Sequence, residues 1–337
     1  MKKLICLCLA LAVLASLAAG CNVVIGPEVP TTVPVNEADL EAVRNQFGEL
    51  DADAEEALRI FLSEGGRPED LVIDDTPPMT MPPPMPEGSP AAPDVVRPLM
   101  EKMFATFASD SFMIKARGTS PLGGASAAPM TIAMNRDAIA FEVEIDWAGM
   151  LRAEGQSNAQ AAFTSASIQA LLGKRMRFVI ETNGVKIVFP DKNTYMSLSD
   201  LAEEEGEEPL NLEEFIRTLS GMFGGAASEQ EAQKRMDSIV PSRVTADGKE
   251  YLCATVTLPM EGTNETVIMR YYFLGEELRR VETQTAEDSV MVEIDVFTSQ
   301  VDQSLFNTND MRTMNLEEMA KMGSNIPNLG GLLGVGG

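Results

Sequence analysis

Ile139-Ala140-Phe141-Glu142-Val143-Glu144-Ile145-Asp146 sets large apolar residues at every second position, with small or acidic ones between. Successive side chains of a strand point to opposite faces, so this spacing makes one greasy face and one wet face. A sheet with one wet face is antiparallel, because parallel sheets bury both. The same period runs upstream. Phe112, Ile114 and Ala116 alternate with Ser111, Lys115 and Arg117, and Met130, Ile132 and Met134 alternate with Thr131, Ala133 and Asn135. Turn residues at Asn135-Arg136-Asp137, Asn183-Gly184 and Pro190-Asp191-Lys192-Asn193 fold these runs into hairpins.

Downstream, Met176, Phe178 and Ile180 form one strand, and Val185, Ile187 and Phe189 form the next across Asn183-Gly184. A meander follows through Tyr251–Leu258, Glu265–Phe273, Leu278–Thr285 and Val290–Thr298. Helices interrupt the strands. Asp94 is a candidate cap for a helix whose Val96, Met100, Met103 and Phe107 share one face. Residues 156–173 favour a helix. Asn211 and Glu214 make a capping box before Leu212, Phe215, Ile216, Leu219, Met222 and Phe223, and Ser228 with Glu231 opens another helix that ends at Pro241. Asn315 with Glu318 caps a last short helix, and residues 323–337, rich in glycine, read as a disordered tail.

The first 94 residues have a different character. Lys2 and Lys3 precede an apolar run, Leu4 to Ala19, that is short for a bilayer span and has the form of an export signal. Residues 21–35, with three prolines, read as a tether. Residues 36–66 read as a small helical hairpin: Asn36 caps Leu40, Val43 and Phe47, and Asp53 with Glu56 precedes Leu58, Phe61 and Leu62. Such a pair is too small to bury its apolar side alone, and needs the main domain or a partner to dock on. Residues 67–94 form a Pro/Met-rich linker that includes Pro77-Pro78-Met79-Thr80-Met81-Pro82-Pro83-Pro84-Met85-Pro86, where polyproline-type conformation is expected.

Composition excludes several functions. With 26 Lys and Arg against 51 Asp and Glu, the formal net charge is −25, the wrong sign for neutralising nucleic-acid phosphates. There is no histidine, which removes Ser-His and Cys-His pairs, imidazole bases and His-based zinc sites. No Gly-rich phosphate loop, Ser-x-x-Lys, G-x-S-x-G or mature Cys-x-x-Cys motif occurs. An enzyme is not expected, nor any cofactor. Of the four cysteines, Cys6 and Cys8 lie in the leader and Cys253 lies in an apolar strand pattern, where it reads as a small core residue. Met79, Met81 and Met85 could supply thioethers to Cu(I), although a Pro/Met-biased spacer is the plainer reading. The acidic run Glu203–Glu208 reads as a solvated loop.

Leu17-Ala18-Ala19-Gly20-Cys21 resembles the lipobox of bacterial lipoproteins, with Ala18 where Leu is usual. The resemblance implies cleavage of residues 1–20 and acylation of Cys21, with the chain anchored to a bacterial membrane on its extracytoplasmic side. An ordinary signal peptide beside a chance cysteine is the alternative. Loss of Lys2 and Lys3 leaves the mature chain more acidic still, so attachment would rest on acyl chains rather than on lipid charge.

Three further stretches resemble the LolA/LolB superfamily of lipoprotein carriers and receptors. They are Val185–Met196 with its Pro190-Asp191-Lys192 turn and Tyr195, then Tyr272–Val281, then Val292–Phe297 leading to Val301–Phe306. The likeness covers roughly residues 95–310. It implies an α+β domain over residues 95–322, with an antiparallel, strongly curved half-barrel sheet and helices packed on its concave side. A helical insertion at 199–241 is larger than that family's usual lid. The family also implies an apolar cavity for an acyl chain or lipid, for which Phe112, Ile114, Met130, Ile132, Met134, Phe141, Phe178, Phe215, Leu219 and Phe223 are the candidate lining. The expectation is a non-catalytic envelope lipoprotein that binds or carries an acyl chain. The alternative is an envelope sensor or protein-interaction module with a filled core.

Overall fold

The structure, a computed structural model, describes residues 36–47, 50–63, 66–71, 83–119, 127–153, 155–181, 184–197, 236–259, 266–285 and 289–314. The fold is α+β, built on one large, mostly antiparallel sheet that, among the described residues, does not close on itself. Thirteen strands belong to it among the described residues. In chain order they are β1 (Ser89–Pro90), β2 (Phe112–Thr119), β3 (Ala127–Met134), β4 (Ala138–Glu144), β5 (Arg175–Glu181), β6 (Gly184–Phe189), β7 (Thr194–Ser197), β8 (Val240–Ala246), β9 (Lys249–Pro259), β10 (Thr266–Leu274), β11 (Glu277–Gln284), β12 (Ser289–Thr298) and β13 (Arg312–Thr313). Their spatial order is β1-β8-β9-β10-β11-β12-β2-β3-β4-β5-β6-β7-β13, and only the β13–β7 pair is parallel. The two meanders read from the sequence join where β12 pairs with β2, with Ile294 opposite Ala116.

Five helices accompany the sheet among the described residues: α1 (Glu37–Phe47), α2 (Ala52–Ser63), α3 (Pro93–Phe107), α4 (Trp147–Ala153) and α5 (Asn158–Leu172). Helix α3 starts one residue before the expected cap, because the fixed φ of Pro93 suits a first helical turn. Its buried residues, Val96, Met100, Met103 and Phe107, pack on the period-two face of the strands, against Phe112, Ile114, Tyr271 and Phe273 among others. That face continues over β4–β7, where Val143, Phe178, Ile187 and Phe189 pack with Leu151 of α4 and Ile168 and Leu172 of α5. Beyond α5, a third cluster joins Leu40 and Val43 of α1, Leu58 and Phe61 of α2, and Phe163 of α5. Asp51, rather than Asp53, caps α2 through its carboxylate and the Ala54 N–H.

The opposite face is less wet than the alternation suggests. Ala133, Ala138, Ala140, Val179 and Val188 form an apolar patch there, covered by Leu305, Phe306 and Met311. Val244, Cys253 and Tyr272 form a second patch, covered by Met85. Two stretches of chain therefore lie across the side expected to face solvent. Part of the stretch read as a linker is one of them: residues 83–88 cross the patch, and Ser89 and Pro90 pair with Arg243 and Ser242 of β8. Residues 240–241, read as the end of a helical insertion, begin strand β8 instead. Pro241 can sit there because β8 is nearly an edge strand, bordered outward among the described residues by the two residues of β1.

Candidate functional site

The ten proposed lining residues separate into two groups and a remainder. Phe112, Ile114 and Met134 are buried in the core beneath α3, with Met130 and Ile132 partly buried against it. Phe107 of α3 meets the ring of Phe112 edge-on, with centroids 5.3 Å apart. Phe178 and the partly buried Phe141 belong instead to the cluster beneath α4 and α5, where their rings stack at 6.4 Å. Phe215, Leu219 and Phe223 lie outside the described residues, as do Cys21, Met79 and Met81. The α3 core is rich in methionine, with Met100, Met103, Met134, Met236 and Met269 all buried in it.

The Pro190-Asp191-Lys192 turn closes the β6–β7 hairpin, and Asn193 takes a left-handed conformation at φ 51°. The Asp191 carboxylate accepts from the backbone N–H groups of Lys174 and Arg175 at 2.9 and 3.0 Å, and from the Arg175 guanidinium at 2.8 Å. Burial pushes this carboxyl up, but the Arg175 bond and the two backbone donors outweigh it and hold it below its ordinary value. Gly173 is required beside it: a Cβ there would lie 2.5 Å from the Asp191 Cβ, at a φ of +82°. The turn thus ties the end of α5 to the hairpin. Its chemistry is structural.

A polar cluster that sequence alternation does not reveal lies on the opposite face, beneath residues 83–88. Tyr272 and Arg280 are directly paired across β10 and β11, and Glu282 stands two residues along β11. All three are buried. Arg280 Nη2 donates to Glu282 Oε1 at 2.8 Å and to the Pro83 carbonyl at 2.7 Å. Glu282 Oε1 also accepts the Met85 N–H at 3.2 Å, and its other oxygen accepts the Tyr272 hydroxyl at 2.8 Å. The Arg280 Nε is buried without a hydrogen-bond partner. Burial first, and then the bond to Glu282, pushes the Tyr272 phenol far above its ordinary value, so it stays a donor. Cys253 lies in the same patch, and burial pushes its thiol up, which disfavours the thiolate a nucleophile needs. Arg280 and Glu282 occupy polar positions of an alternating strand. A solvated charge and a buried, paired one give the same pattern there, so only the covering chain distinguishes them.

Of the proposed Cu(I) ligands only Met85 is described, and its side chain packs against the Val244–Cys253–Tyr272 patch. Among the described residues, no group of three His, Cys, Asp or Glu side chains is placed to hold a metal ion. No helix among them is long and apolar enough to cross a membrane.

No protein-family model matches the chain, and no curated protein does. Among solved structures it is similar to an uncharacterized conserved protein from Thermus thermophilus, at 6% identity and a TM-score of 0.31, over 65% of this chain and 98% of that one. At that score the likeness carries no argument about fold or function.

Proposed function

We propose that the protein is a non-catalytic lipoprotein of a bacterial envelope, anchored through acyl groups on Cys21, that binds an acyl chain or lipid between its sheet and helix α3. In this reading the sheet curves as a LolA/LolB-like half-barrel and α3 lies on its concave side. The supporting observation is the methionine content of that single core, five buried side chains with Met130 partly exposed at its margin. Unbranched, polarizable thioethers repack around ligands of variable shape at lower cost than branched residues do. Native mass spectrometry of a Cys21→Ala chain tests the reading. Copurified fatty acid or phospholipid, displaced by a fluorescent fatty-acid probe, is the expected result. A chain that emerges empty and takes up no probe overturns it.

A second reading, a sensor or interaction module with a filled core, has its own support. Val96, Met100 and Met103 are at most 2% exposed, so α3 already occupies the face an acyl chain would need. Amide exchange separates the two. Slow exchange along α3, unchanged by fatty acid, favours the filled core; acceleration on ligand addition favours the cavity.

A further inference from the structure

The cluster beneath residues 83–88 has the form of a peptide-binding site with a ligand already in it. Arg280 donates to the carbonyl of Pro83 and Glu282 accepts the N–H of Met85, so two side chains grip backbone groups two residues apart. Each is also held by bonds that do not involve the segment: Arg280 and Glu282 are bonded to each other, and Tyr272 donates to the second Glu282 oxygen. Such preorganisation lowers the ordering cost of binding, and charge-assisted bonds to backbone groups are stronger than neutral ones. The Met85 side chain fills the patch of Val244, Cys253 and Tyr272, with Tyr251 beside it. Pro83, Pro84 and Pro86 are exposed and already restricted in φ. Gly88 passes so close to β8 that a Cβ would lie 2.7 Å from the Arg243 carbonyl oxygen and 2.8 Å from a Val244 methyl carbon. Ser89 and Pro90 then add to β8 as a short strand. Aromatic contact with a proline-rich stretch and strand addition at a sheet edge are both recurrent ways of holding extended peptides.

We propose that this face is a docking site for an extended peptide of the form Pro-x-Met-x-x-Gly, with the chain's own Pro83–Gly88 as an exchangeable occupant that a partner bearing the same chemistry displaces. Several observations make the occupant exchangeable. Among the described residues its hold is one apolar side chain, two backbone bonds to side chains, and a two-residue strand with exposed side chains that is followed by the Ala91 N–H bond to the Pro241 carbonyl. The underside stays paired when the segment leaves, because the Arg280–Glu282–Tyr272 bonds do not involve it. Competition in cis sets the scale. A tethered segment acts at an effective concentration on the order of 1 mM, so the intact chain presents the site to outside peptides much weakened.

The test uses the full chain and a fluorescein-labelled peptide, Pro-Pro-Met-Pro-Glu-Gly-Ser-Pro, copied from residues 83–90. Met85→Asp in the chain puts a carboxylate against the patch beside Glu282 and vacates it. Fluorescence anisotropy is expected to show binding to the Met85→Asp chain at least about ten-fold tighter than to the unaltered chain. Arg280→Lys added to Met85→Asp weakens that binding about ten-fold, since lysine cannot reproduce the planar fork. Two peptide variants avoid any effect on folding: N-methylation of the methionine amide, which removes the N–H given to Glu282, and Ala for Gly, which brings in the clashing Cβ. Both are expected to lose binding. The proposal is overturned if the Met85→Asp chain, shown folded by circular dichroism, does not bind the parent peptide with a Kd of about 0.1 mM or tighter, the value at which a cis competitor at about 1 mM weakens binding ten-fold. It is also overturned if either peptide variant binds as tightly as the parent. Neither result depends on whether the α3 core holds a lipid.

Discussion

Two stretches of chain cross the face of the sheet opposite α3, and each is held by a buried arginine. Arg177 pairs with Glu142 at 2.6 Å and donates to the carbonyls of Ser304 and Leu305, while Arg280 pairs with Glu282 at 2.8 Å and donates to that of Pro83. Beneath these grips the two crossings differ. Residues 301–311 lie on alanines and valines, small enough for backbone to approach closely, and they bury Leu305 and Thr308. The far end is stitched down: Asn193 donates to the Asp310 carbonyl, Arg312 pairs with Thr194 of β7, and Met314 is buried in the cluster beneath α4 and α5. Residues 83–88 bring only Met85 to an apolar patch, and otherwise meet a preformed polar clamp. The first crossing resembles core and the second resembles a bound ligand.

Removing each arginine sharpens that difference. Arg177→Met strips Glu142, whose side chain is 15% exposed, of its close partner and leaves it the 3.9 Å contact to the half-exposed Arg175. Loss of one partner of a buried pair costs about 3–5 kcal/mol, and the remaining contact puts the expected loss at about 3 kcal/mol. Urea unfolding should show a destabilisation of that size. The double variant Arg177→Met with Glu142→Leu should recover most of it, since apolar replacement of a buried pair is often neutral. A loss below about 1 kcal/mol in the single variant would mean that residues 301–311 are not part of the cooperative unit.

Leu305→Ala tests the same stretch through packing alone. The residue is 8% exposed, and truncating a buried leucine costs about 2–3 kcal/mol. The effect should appear in global unfolding and not as a local release. If limited proteolysis instead cut near residue 305 with the melting temperature unchanged, the two crossings would be alike after all.

Most of the sheet is legible in the sequence because its strands obey a local rule. Ile139, Phe141 and Val143 recur every second residue on one face of the sheet, Ile139 beneath α3 and the other two beneath α4 and α5, and the strands of the last third start and end within about two residues of the runs read from alternation. Helix α5 is harder to read. It is buried on more than one side, with Phe163 turned to α1 and α2 and Ile168 to the sheet, so no single apolar stripe stands out. Strand β8 carries a hairpin signal in Asp247-Gly248, both at positive φ between Ala246 and Lys249, but Pro241 at its start resembles a helix terminator. The crossings obey no periodicity, and the pairing of β12 with β2 joins residues far apart in sequence. Of the candidate site, helical spacing gives the Val96, Met100, Met103 and Phe107 face of α3, and alternation gives the strand face that carries Phe112, Ile114, Met130, Ile132 and Met134. The Arg280–Glu282–Tyr272 cluster was hidden, because what buries it comes from nearly 200 positions upstream.

Asp191 probes the attachment of the first crossing at its far end, since the turn it braces carries the Asn193 contact to Asp310. Asp191→Asn keeps the shape but removes the charge from three hydrogen bonds. The group is partly exposed, with a side chain 29% accessible, so a loss of about 1 kcal/mol is expected. Because the folded carboxyl sits below its ordinary value of 3.8, its contribution is complete above that pH and disappears as pH falls through the folded value. The stability gap between the native chain and Asp191→Asn should therefore be constant at neutral pH and close in acid below about 3.8. A gap that persists unchanged at the acid end would assign the loss to geometry rather than charge.

The smallest effect on stability belongs to the second crossing, and it has the most specific readout. Met85 is only partly buried, so Met85→Ala should cost about 1 kcal/mol or less in global unfolding. Cys253 lies beneath it at 2% exposure, and alkylation requires both access and the thiolate. In the native chain burial opposes both. Loosening residues 83–88 admits reagent and water together, so iodoacetamide labelling of the tryptic peptide carrying Cys253 should accelerate by about ten-fold or more in Met85→Ala, with the melting temperature nearly unchanged. Leu305→Ala makes the contrasting control: it destabilises the whole fold more, yet under native conditions it should raise Cys253 labelling only as far as global opening allows. Labelling that tracks overall stability in both variants would show that residues 83–88 open only when the sheet does, and the distinction between a core-like crossing and a ligand-like one would fail.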